Sequence, residues 1–142
     1  MADHDKPVWF ITGCSTGFGR ELARLLLAQG YRVAATARDA ASLADLQAGN
    51  PNALALALDV TKSEAITQAV RAAEEKFGRI DVLVNNAGMI APQCRLEALG
   101  FERMQRIFAV NAIGPILCAQ QAVKRMSYRH PPLKTPAGNC LR

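Results

Sequence analysis

The chain has 142 residues, half of them apolar and a fifth charged, with a net charge of +5. That is one domain by length, with enough surface removed from water, about 68–70%, to support a core, and a composition ordinary for a soluble globular protein. The charge excess resides in Lys124, Arg125, Arg129, Lys134 and Arg142, a stretch without acids, so the body up to Val123 is neutral. A basic tail of this kind lacks the aromatic interleaving of a nucleic-acid interface, and specific nucleic-acid binding is not expected. The N-terminus, Met1 to Lys6, is polar and acidic, unlike a signal peptide. No stretch reaches the run of about 18 apolar residues that a membrane span needs. The expectation is a cytoplasmic chain without membrane contact. Cys14, Cys94, Cys118 and Cys140 have no metal-ligand spacing, so no metal site is expected and the thiols are expected to be reduced.

In chain order, Val8 to Thr12 reads as a buried strand. It runs into Gly13-Cys14-Ser15-Thr16-Gly17-Phe18-Gly19 and then a helical pattern to Gln29, with Phe18, Leu22, Leu25 and Leu26 on its apolar face. A glycine-rich turn that feeds a helix aims free N–H groups and the positive end of the helix dipole at one place, which suits a phosphate. Cys14 lies in this turn; a tolerated small residue is favoured over an oxidant-sensing thiol.

Gly30 stops the first helix, and Tyr31 to Ala37 reads as a second strand, followed by a short helix around Ser42 to Gln47 and a turn at Asn50-Pro51-Asn52. Ala53 to Leu58 is a third strand. Thr61 and Glu64 have capping-box spacing and open a helix with Ile66, Val70, Ala73 and Phe77 on one face. Gly78 ends it. Ile80 to Val84 is a fourth strand, closed by Asn85-Asn86-Ala87-Gly88, and a long helix runs from about Phe101 to Met126. Strands separated by helices imply parallel pairing with right-handed crossovers, a Rossmann-like doubly wound α/β sheet of about four strands. The domain is expected over residues 1–126, with 127–142 a disordered basic, Pro-rich tail. Ligand should lie at the carboxyl ends of the strands.

Two residues carry separate physical arguments. A carboxylate at the end of the second strand would favour NAD over NADP, because it binds a ribose 2′-hydroxyl and repels a 2′-phosphate. This chain has Ala37 and then Arg38, whose guanidinium suits a phosphate, unless Asp39 pairs with it. For a nicotinamide dinucleotide at this edge, NADP(H) is therefore expected over NAD(H). Asn111 falls on the apolar face of Met104, Ile107 and Phe108, and Pro115 four residues later cannot donate to its carbonyl, which predicts a kink.

The set Thr12-Gly13-x-x-x-Gly17-x-Gly19, Asp59-Val60, Asn85-Asn86-Ala87-Gly88 and Asn111, in this order, resembles the short-chain dehydrogenase/reductase family, from about Pro7 to Met126. The resemblance implies an oxidoreductase that moves a hydride between a nicotinamide dinucleotide and an alcohol or carbonyl. It places the pyrophosphate and adenosine ribose in the turn that holds Gly13, Ser15, Thr16, Gly17, Phe18 and Gly19. It assigns Asp59 to the adenine amino group and the Val60 N–H to the ring. Asn86, Ala87 and Gly88 would line the ribose and nicotinamide half, although the same residues also make a strand-ending turn. The main-chain carbonyl of Asn111 would hold a water in a proton relay.

The family's chemistry also needs a Ser and a Tyr-x-x-x-Lys pair. Here Tyr31 is followed four residues on by Ala35, and Tyr128 by Pro132. The expectation is therefore a truncated chain that binds cofactor and is catalytically incompetent alone, its change of character near Met126 the mark of a frameshift, alternative exon or premature stop. The alternative is a non-catalytic dinucleotide-binding or regulatory module that pairs with full-length homologues, the long helix being the candidate surface for oligomerisation. The substrate is not legible.

Overall fold

A computed structural model describes residues 6–126. Four strands, β1 (Val8–Ile11), β2 (Arg32–Ala37), β3 (Ala53–Ala57) and β4 (Val82–Val84), form one parallel sheet in the order β3-β2-β1-β4. Helix α1 (Gly17–Ala28) connects β1 to β2. A 3-10 turn (Ala40–Leu43) and the short α2 (Ala44–Gln47) connect β2 to β3, and α3 (Ser63–Phe77) connects β3 to β4. After β4 come a 3-10 turn (Leu96–Ala98), α4 (Phe101–Phe108), one π-helical segment (Ala109–Ile113) and α5 (Gly114–Met126). This is the expected Rossmann-like α/β architecture; the expected tail lies outside the described residues.

The period of two along each strand separates two apolar layers. Val8 and Phe10 of β1 join Ala34 of β2, Leu58, and the Ile66, Ala69, Val70, Ala73 and Phe77 stripe of α3, with Cys118 of α5 closing the layer. On the other face Ile11, Val33, Ala35 and Ala37 pack under Ala23 and Leu26 of α1 and Leu43 and Leu46 around α2. Since β2 lies between β1 and β3, all six of its residues are buried, including the Arg32 end, whose guanidinium donates to the Phe77 and Lys6 carbonyls at 3.2 and 2.8 Å. Small alanines at 34, 35 and 37 let helices approach on both faces.

Four local expectations give way to the structure. Thr61 does not cap α3 with Glu64: its hydroxyl donates to Asp59 Oδ1 at 2.7 Å, and the helix starts at Ser63 behind Lys62, with no side-chain cap. A hydroxyl engaged by a nearby carboxylate has left the position from which it could accept the helical N–H. Phe18 and Leu25 are not core residues of α1; Phe18 is 93% exposed. Asn111 is exposed rather than set in an apolar face. The kink predicted at Pro115 takes the form of the π segment, a helix widened by a turn where Pro115 has no N–H for the Asn111 carbonyl.

The long helix also bears on the membrane expectation. Within Phe101–Met126 an 18-residue window has mean hydropathy 1.2, long and apolar enough by length and composition to cross a membrane, although the sequence showed no unbroken apolar run. Here the α5 end of this helix packs on the α3 layer through Cys118, Leu117 and Met126.

Candidate functional site

The carboxyl ends of β1, β2, β3 and β4 open onto a cleft of about 930 Å³. Gly13, Ser15, Thr16 and Phe18 line it from the first loop, Ala37 and Arg38 from the second, Asp59, Val60 and Thr61 from the third, and Asn86, Ala87, Gly88 and Met89 from the fourth. Four loops far apart in sequence thus meet at one edge, as the parallel order dictates. Among the sequence-predicted residues, Gly17 and Gly19 shape the turn without lining the cleft, and Asn111 stands outside it.

The glycine turn is locked to the fourth loop. Gly13 has φ +72°, and a Cβ on it would lie 2.7 Å from Ala87 Cα. A Cβ on Gly19 would meet the Asn86 amide nitrogen and lie 2.7 Å from the Gly13 carbonyl oxygen. Glycine is required at both positions because no side-chain atom fits between the loops. Asn86 Nδ2 donates to the carbonyls of Thr12 at 3.1 Å and Gly13 at 2.9 Å. Thr12, almost wholly buried, returns the tie: its Oγ1 accepts from the Asn86 and Ala87 amides at 3.1 and 3.0 Å. Sequence reasoning placed Thr12 in the motif without giving it a role; a threonine at the last step of a strand before a glycine was the available signal. The Asn86 amide is thus spent on holding the loops together.

The site is chemically asymmetric. Helix α1 begins with Gly17 directly behind the first loop, and its N-cap Thr16 makes no side-chain hydrogen bond. The first turn of α1 therefore has no side-chain capping oxygen on its free N–H groups, an arrangement that suits an anion. Arg38 is exposed at the cleft and, among the described residues, forms no ion pair. Asp39 does not pair with it; its Oδ1 accepts from the Ala41 amide at 2.9 Å and caps the following 3-10 turn. Asp59, half-buried, accepts from both the hydroxyl and the amide of Thr61, at 2.7 and 2.9 Å. Those bonds, the hydroxyl's first, outweigh partial burial and hold its carboxyl below the usual carboxylate range. Cys14, by contrast, is sealed beneath the turn and donates to the Ile11 carbonyl at 3.4 Å. Burial pushes its thiol up to about 11, so it stays a neutral packing residue.

Asn111 works through its side chain. Its Oδ1 accepts from the Met89 amide and its Nδ2 donates to the Met89 carbonyl, both at 2.8 Å. The π segment is thereby pinned to the end of the fourth loop. Glu102, Gln105, Arg106, Ala109 and Val110 of the same helical run form the far wall of the cleft. Their contribution was not legible in sequence, because it depends on how the helix lies across the sheet edge.

The sequence profile of the short chain dehydrogenase family matches residues 7–134. Among curated relatives, an oxidoreductase named calM from Penicillium decumbens is 41% identical over 122 residues, covering 83% of this chain and 40% of its own length. A farnesol dehydrogenase from Aedes aegypti is 34% identical over 124 residues, covering 84% of this chain and 51% of that protein. The fold superposes on the crystal structure of a 3-ketoacyl-(acyl-carrier-protein) reductase from Brucella melitensis complexed with NADH, with TM-score 0.83 and 32% identity over 89% of this chain and 52% of that one. The chain thus spans about half the length of these relatives or less. With the glycine turn, the parallel sheet and the profile in agreement, the chain belongs to the short chain dehydrogenase family.

Proposed function

We propose that the cleft binds a nicotinamide dinucleotide and prefers NADP(H) to NAD(H). The observation that carries the preference is the end of β2. Ala37 and Arg38 line the cleft there, the guanidinium has no ion-pair partner among the described residues, and the adjacent Asp39 carboxylate is committed to Ala41. A guanidinium suits a 2′-phosphate, and such a charge-assisted bond is worth about 1.5–3 kcal/mol. The uncapped first turn of α1 and the glycines around it suit the pyrophosphate. Asp59, held ionised by Thr61, retains Oδ2 to accept from an adenine amino group, with Val60 beside it. Asn86, Ala87 and Gly88 would bound the ribose and nicotinamide half. The bound dinucleotide would supply a hydride donor or acceptor. The residues of this chain would bind and orient it, and the Asn111 main-chain carbonyl would hold a water in a proton relay.

The 142 residues contain no Tyr-x-x-x-Lys, so this polypeptide is expected to bind nucleotide without turning over a carbonyl substrate. NADPH fluorescence titration beside a turnover assay tests both parts: turnover by the pure chain would refute the second. Arg38→Asp should lower NADPH affinity relative to NADH by about ten- to a hundredfold; an unchanged ratio would refute the NADP preference. A second reading is a non-catalytic module that pairs with full-length homologues. It is favoured by the apolar Phe108, Ile113, Ile116 and Val123, all more than half exposed on the long helix. A pull-down with a full-length homologue decides that reading.

A further inference from the structure

Arg20 stands one residue past the last glycine of the turn, and its side chain is only 17% exposed although it does not line the cleft. Nη1 donates to the Ser15 carbonyl at 3.3 Å and to the Ser42 carbonyl at 2.9 Å, while Nη2 meets Asp45 Oδ1 at 2.5 Å. Ser15 belongs to the first cleft loop. Ser42 belongs to the turn after Arg38, where its hydroxyl and amide both donate to the Asp39 carbonyl, at 2.6 and 3.3 Å. A single guanidinium therefore connects the wall with the glycine turn to the wall with Arg38. Asp45 balances its charge and is itself held from the other side by Arg24 Nη2 at 3.3 Å.

We propose that Arg20 is a positioning residue for cofactor selectivity: it sets the separation between the glycine turn and Arg38, and so preorganises the place for a 2′-phosphate without touching it. This rests on the dinucleotide reading above. Both Arg20 Nη atoms are engaged by oxygen acceptors of the protein, so its role is geometric rather than electrostatic. The five-donor fork of arginine suits three acceptors on three segments; a lysine ammonium on a flexible stem cannot span them.

Titrations of the full 142-residue chain with NADPH and with NADH, alongside thermal unfolding, test this. Arg20→Ala should weaken NADPH by about tenfold and NADH by clearly less, since only NADPH uses the Arg38 position. Arg20→Lys should not restore NADPH binding, and Asp45→Asn, which leaves the two carbonyl bonds, should keep most of it. If Arg20→Ala does not fold, Arg20→Gln carries the same comparison. Equal losses for the two nucleotides, no loss, or full rescue by lysine would overturn the proposal. Wild-type chain that binds neither nucleotide would overturn the dinucleotide reading itself, and this inference with it. Wild-type chain that binds NADPH while Arg20→Ala binds it equally well would overturn this inference alone.

Discussion

Val33 of β2 and Val82 of β4 flank the same residue, Trp9 of β1, from opposite sides in register. They share chemistry, strand type and partner. Yet Val33 is fully buried, within a strand whose six residues are all buried, whereas Val82 is half-exposed, as are both its neighbours in β4. Strand β2 is paired on both edges and covered on both faces, while β4, among the described residues, is paired with β1 alone. The difference teaches that an apolar run reports strand-forming tendency, and that the run's place in the sheet decides what a substitution costs.

The sharpest way to break the comparison is charge. Val33→Lys puts an unpaired ammonium into the core beneath α1, at a cost of several kcal/mol, and should abolish cooperative thermal unfolding. Val82→Lys should keep a cooperative transition and reduce light scattering on heating, because a lysine on an edge strand opposes edge-to-edge pairing. Equal damage from both would show that β4 is as enclosed as β2.

The joint between the first and fourth loops is expected to give a smaller effect. Thr12→Val preserves shape but removes the oxygen that serves the Ala87 and Asn86 amides. A loss of about 1–3 kcal/mol in stability to denaturant is expected, with weaker NADPH binding. Unchanged stability would mean that the close approach of Gly13 to Ala87 suffices to join the loops.

The smallest effect concerns Asp59, in the third loop. Its carboxyl titrates below its unfolded value, so its contribution is present above about pH 4, the ordinary carboxylate range, and is lost as pH falls through the depressed folded value. Asp59→Asn should therefore lower Tm modestly at pH 7 and leave a smaller difference from wild type near pH 3. A difference that grew on acidification would contradict the Thr61 contacts.

Much of this was legible in the residues themselves. The alternation of apolar runs with amphipathic helices specified a parallel α/β sheet, because strands separated by helices of that length return in the same direction. The glycine spacing and the Asn85 to Gly88 turn located two loops that line the cleft, since the backbone there must approach another backbone. The Thr61–Glu64 spacing misled, because the Asp59 carboxylate, two residues upstream, draws the Thr61 hydroxyl away from the helix, which begins at Ser63. Phe18 misled because helical periodicity cannot say where the first turn of α1 clears the sheet edge.

Local chemistry thus determined the elements, the glycine turn and the phosphate-compatible Arg38, each a property of a few adjacent residues. Tertiary structure alone decided that Thr12 and Asn86 clasp two loops, that Arg20 bridges Ser15 and Ser42, and that Asn111 grips Met89. Apart from the Arg20–Ser15 bond, which spans five positions, those contacts join residues 22 to 75 positions apart. Their partners are chosen by the order in which parallel strands assemble, which no local pattern encodes.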